Sequence, residues 1–441
     1  MEPGTPAGND PRRCVSDSLE PFVFRMPQIP NNPWLHRFAL ATALVTFLLL
    51  GAGGLVTSHG VGMAVPDWPN TYGYNPFLFP FSKWVGGIFY EHTHRLLASG
   101  VGILTGILAL WLHGRAARPF MRWTGAALLI LGIANELLLP KRWADGIVSG
   151  AAGLVMLGSS FFWPRCGPAA KWLRRLGGIA FVAVVLQGVL GGLRVVLSDD
   201  ALGIYHATLA QLFFALTCCI ALFTGKGWER SFRPEPRPRG SDVPVRGNGE
   251  FNLRHWLVGM TALILFQLVL GATMRHQHAG LAIPDFPLAY GRLWPATDPE
   301  SVARYNERRV EVVAANPITA FQIDLQMAHR IVAALIVAGV GLCAWRAKRV
   351  RGVLGAIVFA WLGLVLVQAA LGAATVWSNK AADIATAHVL VGALSLATGA
   401  LSCIVCFRSP EFARDTTVLS PVTAGGPEDP SIAAGPAAAQ S

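Results

Sequence analysis

The stretch GGLVTSHGVGMAVPDWPNTYG, residues 53–73, lies without a gap over GATMRHQHAGLAIPDFPLAYG, residues 271–291, so that Pro66, Asp67 and Pro69 coincide with Pro284, Asp285 and Pro287. Working outward, EHTHRLLASGVGI (91–103) parallels QMAHRIVAALIVA (326–338) and sets His94-Arg95 over His329-Arg330. LQGVLGG and YHATLAQ (186–192, 205–211) parallel VQAALGA and AHVLVGA (367–373, 387–393), which sets His206 over His388. Three blocks in the same order in both halves mark a duplicated unit. Apolar runs of about 18 to 25 residues, the length that crosses roughly 30 Å of hydrocarbon, recur near 36–57, 87–112, 123–139, 146–163, 176–197, 204–224, 255–274, 320–345, 352–376 and 384–407. The fold expected is therefore an all-α polytopic membrane protein of about ten spans, built as two pseudo-symmetric four-helix bundles plus a hairpin (123–163) inserted into the first copy only. Each copy has an even number of spans, so both begin on the same side and the repeat is parallel, about an axis along the membrane normal.

Composition agrees with lipid as the main solvent: 53% of the 441 residues are hydrophobic and only 14% charged, against about 25% charged in soluble domains. A net charge of +11 invites nucleic acid as a partner, but the basic residues sit in short stretches between apolar runs and form no basic face. They act as topology signals. With the N-terminus inside, the inward segments hold more than twice as many Lys and Arg as the outward ones, as the positive-inside rule requires. The organisation read from this is a disordered N-terminus (1–35), a first bundle (36–224), a Pro-rich basic cytoplasmic linker (225–254), a second bundle (255–407) and a disordered tail (408–441). Residues 1–35 lack a cleavable signal pattern, and Glu2, Asp10, Asp17 and Glu20 argue against a mitochondrial transit peptide. A bacterial plasma membrane with both termini cytoplasmic is expected. None of the seven cysteines falls in an outward loop on this topology, so no structural disulfide is expected; Cys403 and Cys406 read as packing residues inside a helix.

An ionisable group within a span marks function by default, and here four histidines recur at matched depths: His94 and His206, His329 and His388. Each lies within about ten residues, or roughly 15 Å, of the outer end of its helix. One histidine on each of two facing helices in a four-helix unit is the arrangement of a bis-histidine haem site. Small residues beside the ligands, such as Ala98, Ser99 and Gly100 or Ala333 and Ala334, leave room for a flat macrocycle. A zinc site wants four ligands and finds no accompanying cysteine or carboxylate cluster, and a core histidine bonded to a neighbouring helix is the bland reading of each position. Arg95 and Arg330 have two readings, as partners of propionates or as side chains reaching to the headgroups. Asp67 and Asp285, each between prolines, read as turn formers. His59, His276 and His278 read as interfacial loop residues, with binding of a propionate or proton transfer as the other reading of His276 and His278, and Trp68, Trp84, Trp294 and Trp377 as an aromatic belt. The segment 296–318 has no counterpart in the first half.

Taken together, EHTHR, HATLAQ, AHR, AHV, the PDWP and PDFP loops and LQGVLGG resemble the haem A synthase family, over roughly 36–112 and 176–407. The resemblance implies a membrane oxidoreductase that converts a ring methyl of haem O to the formyl group of haem A for cytochrome oxidase. It implies haem b as cofactor in the second half, with His329 and His388 as axial ligands and Arg95 and Arg330 near the haems. His94 and His206 then surround the substrate haem O, and Glu91 matches the family's E-x-x-H glutamate, so that Glu91, His94 and His206 form the catalytic set. Implied partners are haem O and haem A, membrane lipid, an electron donor that the sequence does not name, haem O synthase and cytochrome oxidase assembly proteins; a homo-oligomer is compatible with the sequence. Glu91 is Gln326 in the second copy, so one half has a carboxylate able to hold a proton where the other has none. The outer-loop cysteine pair of some bacterial members is absent. Two rivals remain at this stage: a bis-haem electron carrier of the cytochrome b kind, which does no chemistry on haem, and a colourless transporter.

Overall fold

The computed structural model describes residues 32–138, 143–225, 228, 253–308, 317–348, 350 and 352–408. The expected disordered termini, most of the linker, Cys14 and part of 296–318 lie outside the described residues. Among the described residues there are ten long helices: α1 (Pro33–Ser58), α2 (Gly86–His113), α3 (Arg118–Leu138), α4 (Trp143–Phe162), α5 (Lys171–Leu197), α6 (Asp200–Thr224), α7 (Leu253–His276), α9 (Ala320–Ala347), α10 (Val353–Trp377) and α11 (Ala382–Arg408). A short α8 (Pro299–Glu307) occupies the segment unique to the second half. Among the described residues nine stretches are long and apolar enough to cross a membrane. One of them, Gly86–Leu138, contains both α2 and α3, which Gly114 separates by turning the chain at φ 54° into a 3-10 turn. The protein is thus an all-α, multi-pass membrane protein.

Local chemistry sets the helix starts. Asn32 caps α1 by accepting from Trp34 N (3.0 Å) and Leu35 N (3.3 Å), with Pro33 in the first turn where its missing N–H costs nothing. Thr319 and Gln322 form a reciprocal capping box on α9. Ser198, at φ 52°, ends α5, and Asp199 at once caps α6 by accepting from Ala201 N at 2.7 Å.

Helices α1, α2, α5 and α6 pack in a ring, and α7, α9, α10 and α11 form the equivalent second ring. The two meet along a seam where α6 touches α7 and α11, and α1 touches α11. In each ring the fully buried apolar core, for example Leu108, Leu112, Leu173 and Ile220 in the first and Leu257, Val340, Leu354 and Trp361 in the second, fills the half nearer the linker. The half nearer the loops that follow α1 and α7 is left for the histidines.

Those loops are near copies of each other. Asp67 Oδ1 and Oδ2 accept from Tyr72 N and Gly73 N (both 2.8 Å), and Asp285 accepts from Tyr290 N (2.7 Å) and Gly291 N (2.9 Å). Both carboxylates are the turn formers that the sequence indicates. The tyrosine hydroxyls donate to Ala64 O and Ala282 O, and Trp68-Pro69 and Phe286-Pro287 are both cis.

Helices α3 and α4 pack mainly on each other, through glycines. A Cβ on Gly132 would lie 2.6 Å from Gly150 N, and one on Gly153 2.5 Å from Leu129 N. This is the small-residue contact that lets membrane helices approach closely where no hydrophobic drive separates protein from lipid. Replacing Gly132 by Val is expected to cost about 1–3 kcal/mol as an overpacked contact, read as a lowered midpoint of denaturant unfolding in detergent. Gly158→Val, at a position with nothing within 4 Å, is the neutral control.

Candidate functional site

The four histidines project from α2 and α6, which stand diagonally in the first ring, and from α9 and α11, which do so in the second. Each imidazole rests against a glycine of a neighbouring helix. A Cβ built on Gly53, Gly191, Gly271 or Gly372 would lie 2.9, 3.1, 3.4 or 3.2 Å from Cε1 of His94, His206, His329 or His388 respectively. Any side chain larger than hydrogen would displace the ring at three of the four sites. The ring edge bearing Cε1 and Nδ1 is therefore seated on a helix, and the opposite edge turns away from that helix.

A glutamine on the same helix as the glycine bonds three of the four histidines. Gln187 Nε2 donates to His206 O (3.0 Å) and Gln267 Nε2 to His329 O (2.9 Å), while Gln368 O meets His388 Nδ1 at 3.1 Å. Gln187, Gln267 and Gln368 each stand four residues before the cradle glycine, one turn away on the same face. The resulting Q-x-x-x-G, at 187–191, 267–271 and 368–372, is a repeated signal within the sequence that reasoning from histidines alone passes over. The first helix has Leu49 in place of the glutamine.

In the second ring the His329 and His388 imidazole centroids are 6.5 Å apart with their planes at 58°. A metal held at the ~2 Å usual for imidazole nitrogen on both sides needs a centroid separation of roughly 6 Å. The first pair, His94 and His206, makes no comparable ring contact among the described residues. The imidazoles of His94, His206 and His388 meet the backbone of Leu49, Gln187 and Gln368, one turn before each cradle glycine, so the ring edge left for a bound group is the one bearing Nε2. Among the described residues no three His, Cys, Asp or Glu side chains gather to hold a metal ion. The donor set is thus two imidazoles per ring with small residues around them, which fits an iron porphyrin needing only axial ligands and does not fit zinc.

The structure gives Arg95 and Arg330 partners that neither sequence alternative includes. Arg95 Nη1 donates to Asp67 O (2.6 Å) and Asn70 O (2.9 Å), and Nη2 to Val65 O (2.8 Å) and Glu91 Oε1 (2.6 Å). Arg330 donates to Leu288 O (2.9 Å) and Asp285 O (2.7 Å). Both arginines hold the loops down on the helices that carry His94 and His329. Glu91, 3% exposed, joins the same network through Oε2, which accepts from Val65 N at 2.8 Å. Gln326 does likewise with Ile283 N at 2.7 Å. Glu91 and Gln326 thus accept from the same loop position, but Glu91 also pairs with Arg95, whereas Gln326 donates to Gly280 O and Ile283 O. His92, fully buried between Phe79 and Trp84, packs the first loop further. Trp68 lies so close to α5 that a Cβ on Gly192 would meet its indole at 2.3 Å. His276 departs from its reading as a loop residue: it ends α7, is buried, and stands 3.7 Å from Asp200 of the other half.

The fold and site define a class: a membrane protein of two duplicated helical rings, each presenting a pair of histidines seated on glycine. A family model described as cytochrome oxidase assembly protein matches residues 141–399. The chain is 28% identical over 86% of its length to a haem A synthase of Geobacillus kaustophilus, covering 95% of that protein. It is 30% identical over 86% of its length to one of Caulobacter sp., covering 83% of it. A haem A synthase of Methylobacterium sp. is 25% identical over 84% of the chain. The chain belongs to the haem A synthase family.

Gly372→Ala is expected to push His388 off its seat and weaken retention of haem in the second ring by tenfold or more, as read from the Soret absorbance per chain after purification. Gly363→Ala on the same helix, with nothing within 4 Å, should leave the absorbance unchanged.

Proposed function

We propose that this protein is a haem A synthase that oxidises a ring methyl of haem O to the formyl group of haem A. In this reading the first bundle (36–224) receives haem O between His94 and His206, and the second (255–407) keeps haem b on His329 and His388. The observation that carries the assignment of halves is the replacement of Glu91 in the first by Gln326 in the second. The second pair stands at 6.5 Å, near the separation for two axial ligands on one iron, and His206 lies within electrostatic range of His94 in the first. Haem b supplies one-electron redox chemistry when bound. The chain's own residues orient the tetrapyrroles through imidazoles of fixed height and exclude water with the loops that Arg95 and Arg330 tie down. Glu91 is a carboxylate on the helix of His94 itself, and its replacement by Gln326 in the other half supports the first half as the reactive one. Its carboxylate is the group proposed to hold or pass a proton near His94, along a path that begins with release of Arg95 or the Val65 N–H.

The same reading places the protein in a bacterial plasma membrane with both termini cytoplasmic, the linker 225–254 on the cytoplasmic side and the reacting haems toward the outer leaflet. Its working partners are an electron donor, haem O synthase as the source of substrate, and the assembly proteins that pass haem A to cytochrome oxidase.

Pigments extracted from a host that makes haem O, with and without this chain, test the activity: a new species bearing a formyl group is expected, and unchanged pigment would favour an electron carrier. Glu91→Gln keeps the contact to Val65 N, as Gln326 shows for its own loop, and removes the carboxylate together with its ion pair to Arg95. Conversion is expected to fall at least tenfold while haem bound by His329 and His388 is retained. Full conversion by this variant would remove Glu91 from the chemistry.

A further inference from the structure

Between the two rings, at the end that carries the loops, lies a group of cations that the proposed chemistry does not use. Arg275, next to last in α7, reaches across the seam and donates from Nη2 to Gly54 O (2.8 Å) and Ser58 Oγ (2.5 Å) of α1. Its Nε is buried without a partner. Arg194, near the end of α5, has its guanidinium beside Gly62, where a Cβ would lie 3.3 Å from Nη1, and no hydrogen bond is described for it. Lys380, in the turn between α10 and α11, is half-buried and within electrostatic range of Arg275. None of the three has a carboxylate within ion-pair distance; among the described residues the only ion pair at this seam is His276 with Asp200. Two carboxylates lie within electrostatic range of Arg194, Asp200 beside His276 and Glu91, which is paired with Arg95, so both are already engaged elsewhere.

Their surroundings tie them to the histidines. Arg194 lies within electrostatic range of both His94 and His206, and Arg275 within range of His388. Both arginines also break the internal symmetry: Thr375 stands where the second copy would repeat Arg194, and Thr57 where the first would anticipate Arg275. The duplication therefore does not explain them. A buried guanidinium without a counter-ion is costly, and a bidentate carboxylate is the ligand its fork fits. Arg95 and Arg330, the cations adjacent to the ligands in sequence, are committed to loop carbonyls.

We propose that Arg194 and Arg275, with Lys380 at the rim, form a carboxylate-binding site at the seam that takes the propionates of the bound tetrapyrroles, Arg194 serving the first ring and Arg275 the second. The proposal rests on the haem reading above. The charged edge of each macrocycle then points toward water at the loop end, where the cost of placing a carboxylate in hydrocarbon is avoided. The same cations would also suit a phospholipid phosphate, and the test separates the two.

The full chain, purified free of haem into phosphatidylcholine discs, is titrated optically with iron protoporphyrin and with its dimethyl ester, which keeps the iron and ring and lacks the two charges. Wild type is expected to prefer the free acid by at least about tenfold, the range for a hydrogen bond to a charged group. Arg194→Gln is the primary variant because it removes no described hydrogen bond. It should bind the ester as wild type does and lose most of the preference, and Arg194→Lys should restore part of it. Arg275→Gln should act likewise on haem held by His329 and His388. A wild-type preference that survives in both Gln variants overturns the proposal. So does a preference that vanishes for wild type when phosphatidylglycerol replaces phosphatidylcholine, which would assign the site to lipid headgroups. Failure of wild type to take up either porphyrin overturns the haem reading itself.

Discussion

An imidazole inside an apolar bundle loses water on every side, and the site architecture follows from how that loss is met. Each of the four rings rests with one edge on a glycine, at a height fixed in three of the four helices by a glutamine one turn away. With the Nδ1 edge turned to the glycine helix, Nε2 is left on the open edge of the ring, where hydrocarbon offers it no partner, so the arrangement makes sense as a seat for a group that takes up that nitrogen. The separation of each ring into a packed half near the linker and a histidine-bearing half near the loops belongs to the same design, because a core closed along its whole length would leave no space beside the ligands.

Duplication supplied the scaffold and divergence supplied the difference between halves. The two loops keep the same aspartate clamp, tyrosine contact and cis-proline. The changes fall where chemistry and charge lie: Glu91 against Gln326, His92 against Met327, Arg194 against Thr375 and Arg275 against Thr57. The seam between rings carries the contacts that join them, with Arg275 bonded to α1 and His276 beside Asp200. Two histidine pairs are thereby held in one frame, with Arg194 and Arg275 between them.

Much of the fold was legible because its signals are long and repeated. Ten apolar runs became ten long helices, with boundaries shifted by a few residues where Asn32, Gly114 and Ser198 act as stops. Asp67 and Asp285 behave as turn formers because proline on either side leaves an aspartate little else to do. The four histidines stood out because lipid makes such residues rare. Less was legible at the contacts. The sequence offered Arg95 and Arg330 two destinations, propionates or headgroups, and the structure sends both to loop carbonyls, since side-chain direction depends on how the loop folds back. His276 looked like a loop residue because α7 extends past the apolar run to include it. Gly53, Gly191, Gly271 and Gly372 carried a detectable spacing, but a glycine in an apolar helix has many causes, and only the ring lying against it shows which applies. The glycine-lined contact between α3 and α4 was hidden for the same reason.

The central claim is that His329 and His388 share one iron. Low-temperature electron paramagnetic resonance of the purified oxidised protein, counted against chain concentration, tests it most directly. The account predicts a low-spin ferric signal from a six-coordinate bis-imidazole haem, near one per chain, that disappears when either histidine is replaced by alanine. A high-spin signal from a single axial ligand, or a low-spin signal that survives both replacements, would contradict it.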